Sequence, residues 1–211
     1  MSEKARAQKV LTKLSRAHSD APSTYLEFNN PFEMLIATIL SARAMDAVVN
    51  RVTRILFKEY PDAKSMKNAS TDRIAEIIHD VGTFNRKAEY LKKTASMIVE
   101  SYNGEVPKNM EELVKFPGVS RKTANVVLQV AFGISEGVVV DTHIGRVTKR
   151  LEFSEEKSPE KIEEEIMKLL PRSKWADYAR LLGAHGREIC KSRKPDCPNC
   201  VVSNLCPSAE L

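Results

Sequence analysis

The stretch LVKFPGVSRKTA, residues 113–124, decides how this chain folds. Pro117 and Gly118 separate two segments with helical spacing of apolar residues, so the stretch predicts a helix, a tight turn and a second helix. Ser120 is a residue type that caps the start of a helix. The turn leaves backbone N–H groups at a helix N-terminus, which is an anion site suited to one phosphate. An ordinary pair of packed helices has the same local pattern, so both interpretations stay open at this point.

Apolar residues recur at helical spacing on both sides of this stretch. The segments are 32–40, 45–56, 74–81, 91–102 with Gly104 as a stop, 159–170 between Ser158 and Pro171, and 175–190. The one strand-like run, Val138–Val140, is short and is equally consistent with a buried extended connection. The pattern therefore predicts an all-α fold.

The composition is that of a globular chain with an excess of basic residues. Of 211 residues, 42% are hydrophobic and 29% are charged, and the formal net charge is +5. The apolar fraction suffices for a sizeable core, and the charge favours an anionic partner without identifying nucleic acid. No apolar run reaches the roughly 18 residues that span a bilayer, and residues 1–25 lack the apolar segment of a secretory signal. We therefore expect a soluble, intracellular protein.

All four cysteines lie near the end of the sequence, at Cys190, Cys197, Cys200 and Cys206. A disulfide framework would be spread through a small secreted chain, so clustered thiols in a reducing compartment predict a metal site instead. The spacing C-x6-C-x2-C-x5-C contains one close pair, whereas structural zinc sites usually present two. A cubane iron–sulfur cluster accepts open spacings because each thiolate binds a different iron atom. From spacing alone, iron–sulfur and zinc remain equally open.

The segment VVVDTHI, residues 138–144, carries two further candidate residues. Asp141 opens a predicted helix, so it is either an ordinary N-cap or a functional carboxylate. His143 is either a partly buried, hydrogen-bonded residue or part of a site.

The loop KSRKPD, residues 191–196, places Lys191, Arg193 and Lys194 between two cysteines. A loop anchored by cluster ligands at both ends would present these cations as a rigid surface for phosphates. Alternatively, they balance the charge of a negative cluster, and the two roles are compatible.

Together, these segments resemble the helix–hairpin–helix DNA glycosylase superfamily, and most closely its endonuclease III family. The resemblance rests on FPGVSRKTANVV, VVVDTHIGRV and the cysteine spacing, with further matches in LSA at 40–42, VGTFNRKA at 81–88 and HGR at 185–187. It covers most of residues 25–206. It implies two helical domains with a cleft between them. One is a helical barrel over 24–134, with the hairpin near 116–120, and the other joins 1–23 to 135–211 and holds a [4Fe–4S] cluster.

The resemblance also implies an activity, a cofactor and a partner. The activity is that of a bifunctional DNA glycosylase and abasic-site lyase of base excision repair, acting as a monomer. Its partner is double-stranded DNA that contains oxidised or ring-saturated pyrimidines or abasic sites. The four cysteines would bind the [4Fe–4S] cluster. Such a protein is expected in the cytoplasm in association with the nucleoid, or in the nucleus or an organelle of a eukaryote.

Two residues fall on the catalytic positions of the family. Lys122 matches the lysine that forms a Schiff base: its neutral amine attacks C1′ of the damaged nucleotide, and β-elimination then breaks the strand. Arg121 and the helix N-terminus supply positive potential that favours the neutral amine. Asp141 matches the catalytic aspartate, which stabilises positive charge on the sugar and helps to move protons. Superfamily members that only remove the base lack this lysine, so Lys122 favours the bifunctional class.

The resemblance further implies a set of DNA contacts. Gly118, Ser120 and Arg121 at the hairpin, the basic loop and the basic residues at 146–150 would contact phosphates. Ser120 departs from the family, which usually has a second glycine there. Phosphate binding survives this change if the backbone at Ser120 does not need a positive φ.

Four more residues are candidates for contacts with the flipped nucleotide or the gap that it leaves. Arg43 and Thr83 stand where the family commonly has Gln and an apolar wedge to fill the gap, and a surface role is the alternative for each. Asp46 matches an acidic residue near the pocket, or is simply a helix-start cap. His143 is expected near the cleft.

Two other functions remain as alternatives. One is a monofunctional mismatch glycosylase, against which Lys122 argues. The other is a non-catalytic DNA-binding protein that uses the hairpin and the metal site only for positioning.

Overall fold

The structure is a computed structural model that describes residues 1–210. Within that range the chain forms eleven α-helices, two short 3-10 turns and no β-strand, so the prediction of an all-α fold is confirmed. The 3-10 turns are Arg172–Lys174 and Ser203–Leu205. No helix of residues 1–210 has the length and apolar character needed to cross a membrane. The helices are α1 (Glu3–Ala17), α2 (Pro31–Ser41), α3 (Asp46–Glu59), α4 (Ala63–Lys67), α5 (Thr71–Ile77), α6 (Phe84–Ser101), α7 (Met110–Leu113), α8 (Arg121–Phe132), α9 (Thr142–Arg150), α10 (Pro159–Leu169) and α11 (Trp175–Glu188).

The chain divides into two compact units. One consists of residues 25–134 and contains α2 to α8. The other joins residues 1–24 to the segment that starts at residue 135, and contains α1 and α9 to α11. The expected roles of these units, as a helical barrel and an iron–sulfur domain, stay predictions.

Helix α2 is the central element of the unit formed by residues 25–134. All residues from Phe32 to Leu40 are buried, so this helix is enclosed by protein on every side. It starts at Asn30, whose side-chain oxygen accepts a hydrogen bond from the N–H of Glu33 at 2.9 Å. It packs against α3, α6 and α8. The second helix of the hairpin therefore rests directly on the core of its unit.

Helices α1, α9 and α11 build the core of the other unit, with α11 packed against both α1 and α9. Tyr178 of α11 is fully buried, and its hydroxyl lies 2.8 Å from that of Thr148 on α9. Arg6 of α1 donates a hydrogen bond to the carbonyl oxygen of Glu152 at 3.2 Å and lies 4.4 Å from the ring centroid of Phe153. The hydroxyl contact joins α9 to α11, and the contacts of Arg6 join the N-terminal helix to the segment that follows α9.

One predicted helix is shorter in the structure. The apolar stripe over 74–81 predicts a helix to Val81, but α5 ends at Ile77. Val81 is still buried, because the chain turns at Ile78 and the N–H of Val81 donates to the Ile78 carbonyl at 2.9 Å. The apolar spacing thus predicts the burial of Val81 correctly. The residues after Ile77 form a turn and not the last part of the predicted helix.

The segments that flank the candidate site differ from prediction in a similar way. The helix predicted to reach Cys190 ends at Glu188, although the N–H of Cys190 still donates to the carbonyl of His185 at 2.8 Å. Val138–Val140 is irregular, since no strand is present within residues 1–210 to pair with it. Its buried side chains belong to the core of their unit.

Gly118, the glycine of the hairpin, packs closely against the side chain of Tyr90. Gly118 has φ +77°, and a Cβ at this position would lie 2.7 Å from Cδ2 of Tyr90. Gly133 has φ +69°, but a Cβ there would meet no other atom within 4 Å, so its replacement carries only the backbone penalty. We expect Gly133→Ala to lower the free energy of unfolding by about 1 kcal/mol, and Gly118→Ala by about 2–4 kcal/mol. Urea unfolding of both variants measures the difference, and equal losses would show that Tyr90 does not restrict the turn.

Candidate functional site

The hairpin turn has the geometry that its sequence requires. The N–H of Val119 donates to the carbonyl of Phe116 at 3.1 Å, and Gly118 supplies the positive φ between them. Ser120 has φ −79° and is the N-cap of α8, with its Oγ accepting from the N–H of Thr123 at 3.2 Å. The positive φ thus falls on Gly118 and not on Ser120. The serine is therefore compatible with the turn.

Lys122 is the second residue of α8 and is exposed, directly after Arg121. Backbone N–H groups in the first turn of a helix have no acceptor within it, and here the serine cap takes only that of Thr123. The N-terminal end of the helix also carries the positive end of the helix dipole. Lys122 therefore stands on an electropositive helix end in the unit formed by residues 25–134.

Asp141 belongs to the other unit and is the N-cap of α9. Its Oδ1 accepts from the N–H of Ile144 at 2.8 Å, which satisfies the helix end. Its Oδ2 lies 3.7 Å from a guanidinium nitrogen of Arg187 on α11. Oδ1 of Asp141 thus caps the helix, while Oδ2 faces the partly exposed guanidinium group of Arg187. The N-cap interpretation is correct, and the cap uses only one of the two carboxylate oxygens.

His143 lies in the first turn of α9, with Nδ1 at 3.3 Å from a guanidinium nitrogen of Arg146. A Cβ at Gly186 would lie 3.1 Å from the Cβ of His143, so α9 and α11 approach closely here. The glycine of the HGR motif therefore serves helix packing, a role that the resemblance to the family did not suggest.

The four cysteines line one pocket in the unit that contains α9 and α11. Each thiol is free of disulfide bonds and partly exposed. Within residues 1–210, no group of three or more His, Cys, Asp or Glu side chains converges closely enough to hold a single metal ion. The ligands of a cubane cluster do not have to converge on one ion, because its four thiolates bind four separate iron atoms.

Two arginines of α9 hold the chain at the first cysteine. Arg150 donates to the carbonyl oxygens of Lys191 at 2.7 Å and Ser192 at 2.9 Å, and its guanidinium lies 3.2 Å from Sγ of Cys190. Arg146 donates to the carbonyl of Cys190 at 3.1 Å. The sequence suggested phosphate contacts for the basic residues at 146–150, and the guanidinium groups of Arg146 and Arg150 are hydrogen-bonded to this segment. Lys149 is exposed, and its contact with a phosphate stays a prediction.

The basic loop begins at this anchor. Lys191, Arg193 and Lys194 are all exposed. At the other end of the loop, the N–H of Asp196 donates to the carbonyl of Ile189 at 3.0 Å. The three cations therefore project from a loop whose two ends are tied to the rest of the unit.

A pair of buried histidines lies behind the cysteine pocket, and sequence analysis missed it. Nε2 of His185 lies 3.4 Å from Sγ of Cys200, and its Nδ1 lies 3.1 Å from Nε2 of His18. Nδ1 of His18 is 3.1 Å from a carboxylate oxygen of Glu188. Burial, together with the neighbouring His18, lowers the pKa of His185 to about 4. The available signal was a histidine on the apolar face of the helix that leads to the first cysteine.

The candidate gap-filling residues lie in two exposed loops of the unit formed by residues 25–134. Arg43 follows the end of α2 with φ 58°, and Thr83 is the N-cap of α6 with φ 60°. Both are non-glycine residues in the left-handed region, which costs about 1–3 kcal/mol each. Asp46 is the first residue of α3, and Met45 occupies the N-cap without a side-chain cap bond. The interpretation of Asp46 as the cap is therefore wrong by one position.

The two tasks of Asp141 can be separated by mutation. Asn keeps an oxygen that accepts from Ile144, so Asp141→Asn should change the free energy of unfolding by less than about 0.5 kcal/mol. Ala removes the cap, so Asp141→Ala should cost about 1 kcal/mol. Chemical denaturation of the two variants beside the unmodified protein measures this. An equally large loss for both would mean that the ion pair with Arg187, and not the cap, carries the stabilisation.

Known proteins share both the sequence and the fold of this chain. Residues 36–172 match the model of the HhH-GPD superfamily base excision DNA repair proteins. Endonuclease III of Synechocystis sp. is 44% identical over 209 residues, which cover 99% of this chain and 95% of the relative. Endonuclease III of Escherichia coli (strain K12) is 41% identical over 207 residues, which cover 98% of this chain and 97% of the relative.

Solved structures agree with this assignment. A trapped covalent intermediate of endonuclease III with DNA has a TM-score of 0.91 and 38% identity, covering 99% of this chain and 98% of that chain. A thermostable thymine-DNA glycosylase has a TM-score of 0.83 and 28% identity, covering 97% of this chain and 96% of that chain. From its motifs, its helical structure and these similarities, the chain belongs to the endonuclease III family of the HhH-GPD superfamily of base excision DNA repair proteins.

Proposed function

We propose that this chain is a bifunctional DNA glycosylase and abasic-site lyase that removes oxidised or ring-saturated pyrimidines. The observation that carries the proposal is Lys122, an exposed amine in the first turn of α8 directly behind the hairpin turn. A helix–hairpin–helix protein that only removes a base, or only binds DNA, has no need of an amine at this place. The similarity to an endonuclease III trapped covalently on DNA supports the same chemistry.

In this proposal, Lys122 is the nucleophile. Its neutral Nζ forms a bond to C1′ while the bond from C1′ to the base breaks, and the base leaves with the bonding electrons and takes up a proton. The sugar ring opens to an iminium on Lys122. The iminium acidifies the C2′ protons, so loss of one of them expels the phosphate at C3′ and breaks the strand by β-elimination.

Asp141 supplies the negative charge for this reaction. Its Oδ1 accepts from the N–H of Ile144, and Oδ2, which lies 3.7 Å from a guanidinium nitrogen of Arg187, would be the oxygen that faces the sugar. A carboxylate oriented by a helix end needs little rearrangement to stabilise a developing cation or to accept a proton. We propose Asp46 and His143 as further residues of the nucleotide pocket.

Binding of double-stranded DNA would draw on two surfaces, one in each unit. The hairpin offers the N–H groups near Gly118 and Ser120 and the side chain of Arg121 to one phosphate. The basic loop offers Lys191, Arg193 and Lys194, whose exposure suits contacts with further phosphates.

Arg43 and Thr83 would enter the gap left by the flipped nucleotide. Both are exposed at helix ends, and Arg43 is long enough to reach a base left without its partner. We propose that the protein does this as a monomer in the cytoplasm, in association with the nucleoid.

A [4Fe–4S] cluster fits the residues of the cysteine pocket. All four cysteines line one pocket, and Arg150 places a positive group at 3.2 Å from Sγ of Cys190, which suits a thiolate ligand. Cys190, Cys197, Cys200 and Cys206 would hold the cluster, making residues 1–24 and 135–211 the iron–sulfur domain and residues 25–134 the helical barrel. When bound, the cluster supplies a cross-link among four points of a segment that has little core of its own.

The activity is tested by borohydride trapping on a duplex that contains an abasic site. Borohydride reduces an imine to a stable amine, so the unmodified protein should form a covalent adduct and Lys122→Ala should form none. Lys168→Ala removes another exposed lysine, on α10, and should form the adduct like the unmodified protein. Denaturing gel electrophoresis separates adduct from free DNA.

The trapping experiment also decides among the alternatives. A second duplex that contains a damaged pyrimidine is treated in parallel, and if the folded protein releases that base but forms no adduct on either duplex, it is a monofunctional glycosylase. If it binds the duplex without releasing the base, it is a DNA-binding protein without this activity. Either result would remove Lys122 from the role proposed for it.

The cluster is tested through Cys197. Cys197→Ser should give a colourless protein that folds poorly, because one of four ligands is lost. Pro198→Ala changes the exposed neighbouring residue and should keep the full visible absorbance and iron content. A soluble Cys197→Ser variant with the full colour would contradict the ligand assignment.

A further inference from the structure

Lys87 is a buried lysine that none of the roles described above uses. It lies on α6 and is only 5% exposed. Its Nζ donates hydrogen bonds to the carbonyl oxygens of Leu40 at 2.8 Å and Ala42 at 2.7 Å. Burial lowers the pKa of this ammonium group, so its position carries a desolvation cost that the two carbonyls offset.

These two carbonyls belong to the end of α2, which lacks the usual cap of a helix C-terminus. The last turn contains no basic residue, and the residue at the C-cap is Ala42 in place of a glycine motif. The carbonyl of Ser41 accepts a hydrogen bond from the N–H of Ala44 at 3.0 Å. The carbonyls of Leu40 and Ala42 accept theirs from Nζ of Lys87. An ammonium group at a helix C-terminus also interacts favourably with the negative end of the helix dipole.

The lysine therefore fixes the peptide that precedes Arg43. The carbonyl of Ala42 belongs to the peptide bond that ends at the nitrogen of Arg43, and Arg43 has φ 58°. A non-glycine residue stays in this left-handed conformation only if its surroundings hold it there. The hydrogen bond from Nζ of Lys87 acts one bond away from the strained torsion.

The backbone of the same residue holds the second loop. The N–H of Lys87 donates to the carbonyl of Thr83 at 3.1 Å, the first hydrogen bond of α6, and Thr83 has φ 60°. The N–H of Lys87 is thus bonded to the loop that contains Thr83, and its side chain is bonded to the loop that contains Arg43. Each loop has one exposed residue with a positive φ. Both loops lie in the unit formed by residues 25–134, and the contacts are entirely within it.

We propose that Lys87 is a positioning residue that holds the Arg43 loop and the Thr83 loop in one fixed arrangement, so that both enter the base stack of duplex DNA as a single unit. The inference rests on the proposed function, because the two loops matter only if a nucleotide is flipped. Lys87 itself does not touch the DNA. It acts through the backbone of Ala42 and Thr83.

The test compares two abasic-site duplexes under single-turnover borohydride trapping. In one, the opposite strand is intact. In the other, the nucleotide opposite the abasic site is missing, so no base there needs to be kept in place. Lys87→Met should slow adduct formation on the intact duplex by about tenfold or more, and by less than about twofold on the duplex with the missing nucleotide. A loss of general stability would slow both equally.

Lys92→Met is the matched control. Lys92 lies on the same helix, and its Nζ also donates to a backbone carbonyl, that of Ala69 at 2.8 Å, away from both loops. This variant also loses a hydrogen bond from a lysine of α6 to a backbone carbonyl, so any slowing that it causes through lost stability should be equal on the two duplexes. Equal slowing of both duplexes by Lys87→Met, or preferential slowing of the intact duplex by Lys92→Met, would overturn the proposal.

A double-mutant cycle tests the same inference by a second route. If Lys87 acts through the loop residue, Lys87→Met should add little to the loss caused by Arg43→Ala on the intact duplex. Additive losses would contradict the proposal. If Lys87→Met does not fold, the cycle between Arg43→Ala and Thr83→Ala replaces it, and loops held as one unit predict non-additive losses. Failure of the proposed function is distinguishable, because the unmodified protein would then form no adduct on either duplex.

Discussion

The backbone groups at the helix ends are the constraint on which the candidate functional residues depend. A helix leaves its first N–H groups and its last carbonyls without partners, and each one that is buried has to be bonded from outside the helix. This chain satisfies them with Ser120 at α8, Asp141 at α9 and Lys87 at the end of α2. These contacts fix the backbone at the three helix ends. Lys122 lies two residues after Ser120, and Arg43 directly follows Ala42, whose carbonyl accepts from Lys87.

The same constraint explains why the structural and functional interpretations of a residue do not exclude each other. The sequence is consistent with two interpretations of Asp141, an N-cap or a functional carboxylate. Its two oxygens allow both roles. One oxygen accepts from the N–H at the start of α9, while the other lies on the side of Arg187. A residue whose orientation is fixed by a helix end is well suited to catalysis, since preorganised groups need little reorganisation when charge develops.

The sequence predicts those features that depend on neighbouring residues. The all-α fold, the positive φ at Gly118 and the caps at Ser120 and Asp141 all follow from local patterns of apolar spacing and turn residues. Contacts between distant segments were not predictable in this way. Lys87 stands in the VGTFNRKA match of the sequence, but its contact with the carbonyl of Leu40 depends on the fold. Arg150 likewise resembled a phosphate ligand until the structure placed it on the first cysteine and its loop.

Peptide mapping locates the covalent bond to DNA within the chain. After borohydride trapping on an abasic-site duplex, nuclease and trypsin digestion leaves a sugar-derived mass on one peptide. Trypsin does not cut after a modified lysine, so if Lys122 is the nucleophile we expect a modified peptide that runs from Lys122 to Arg146. A modification on a different lysine, or on the N-terminal amine, would contradict the assignment of the nucleophile and the mechanism built on it.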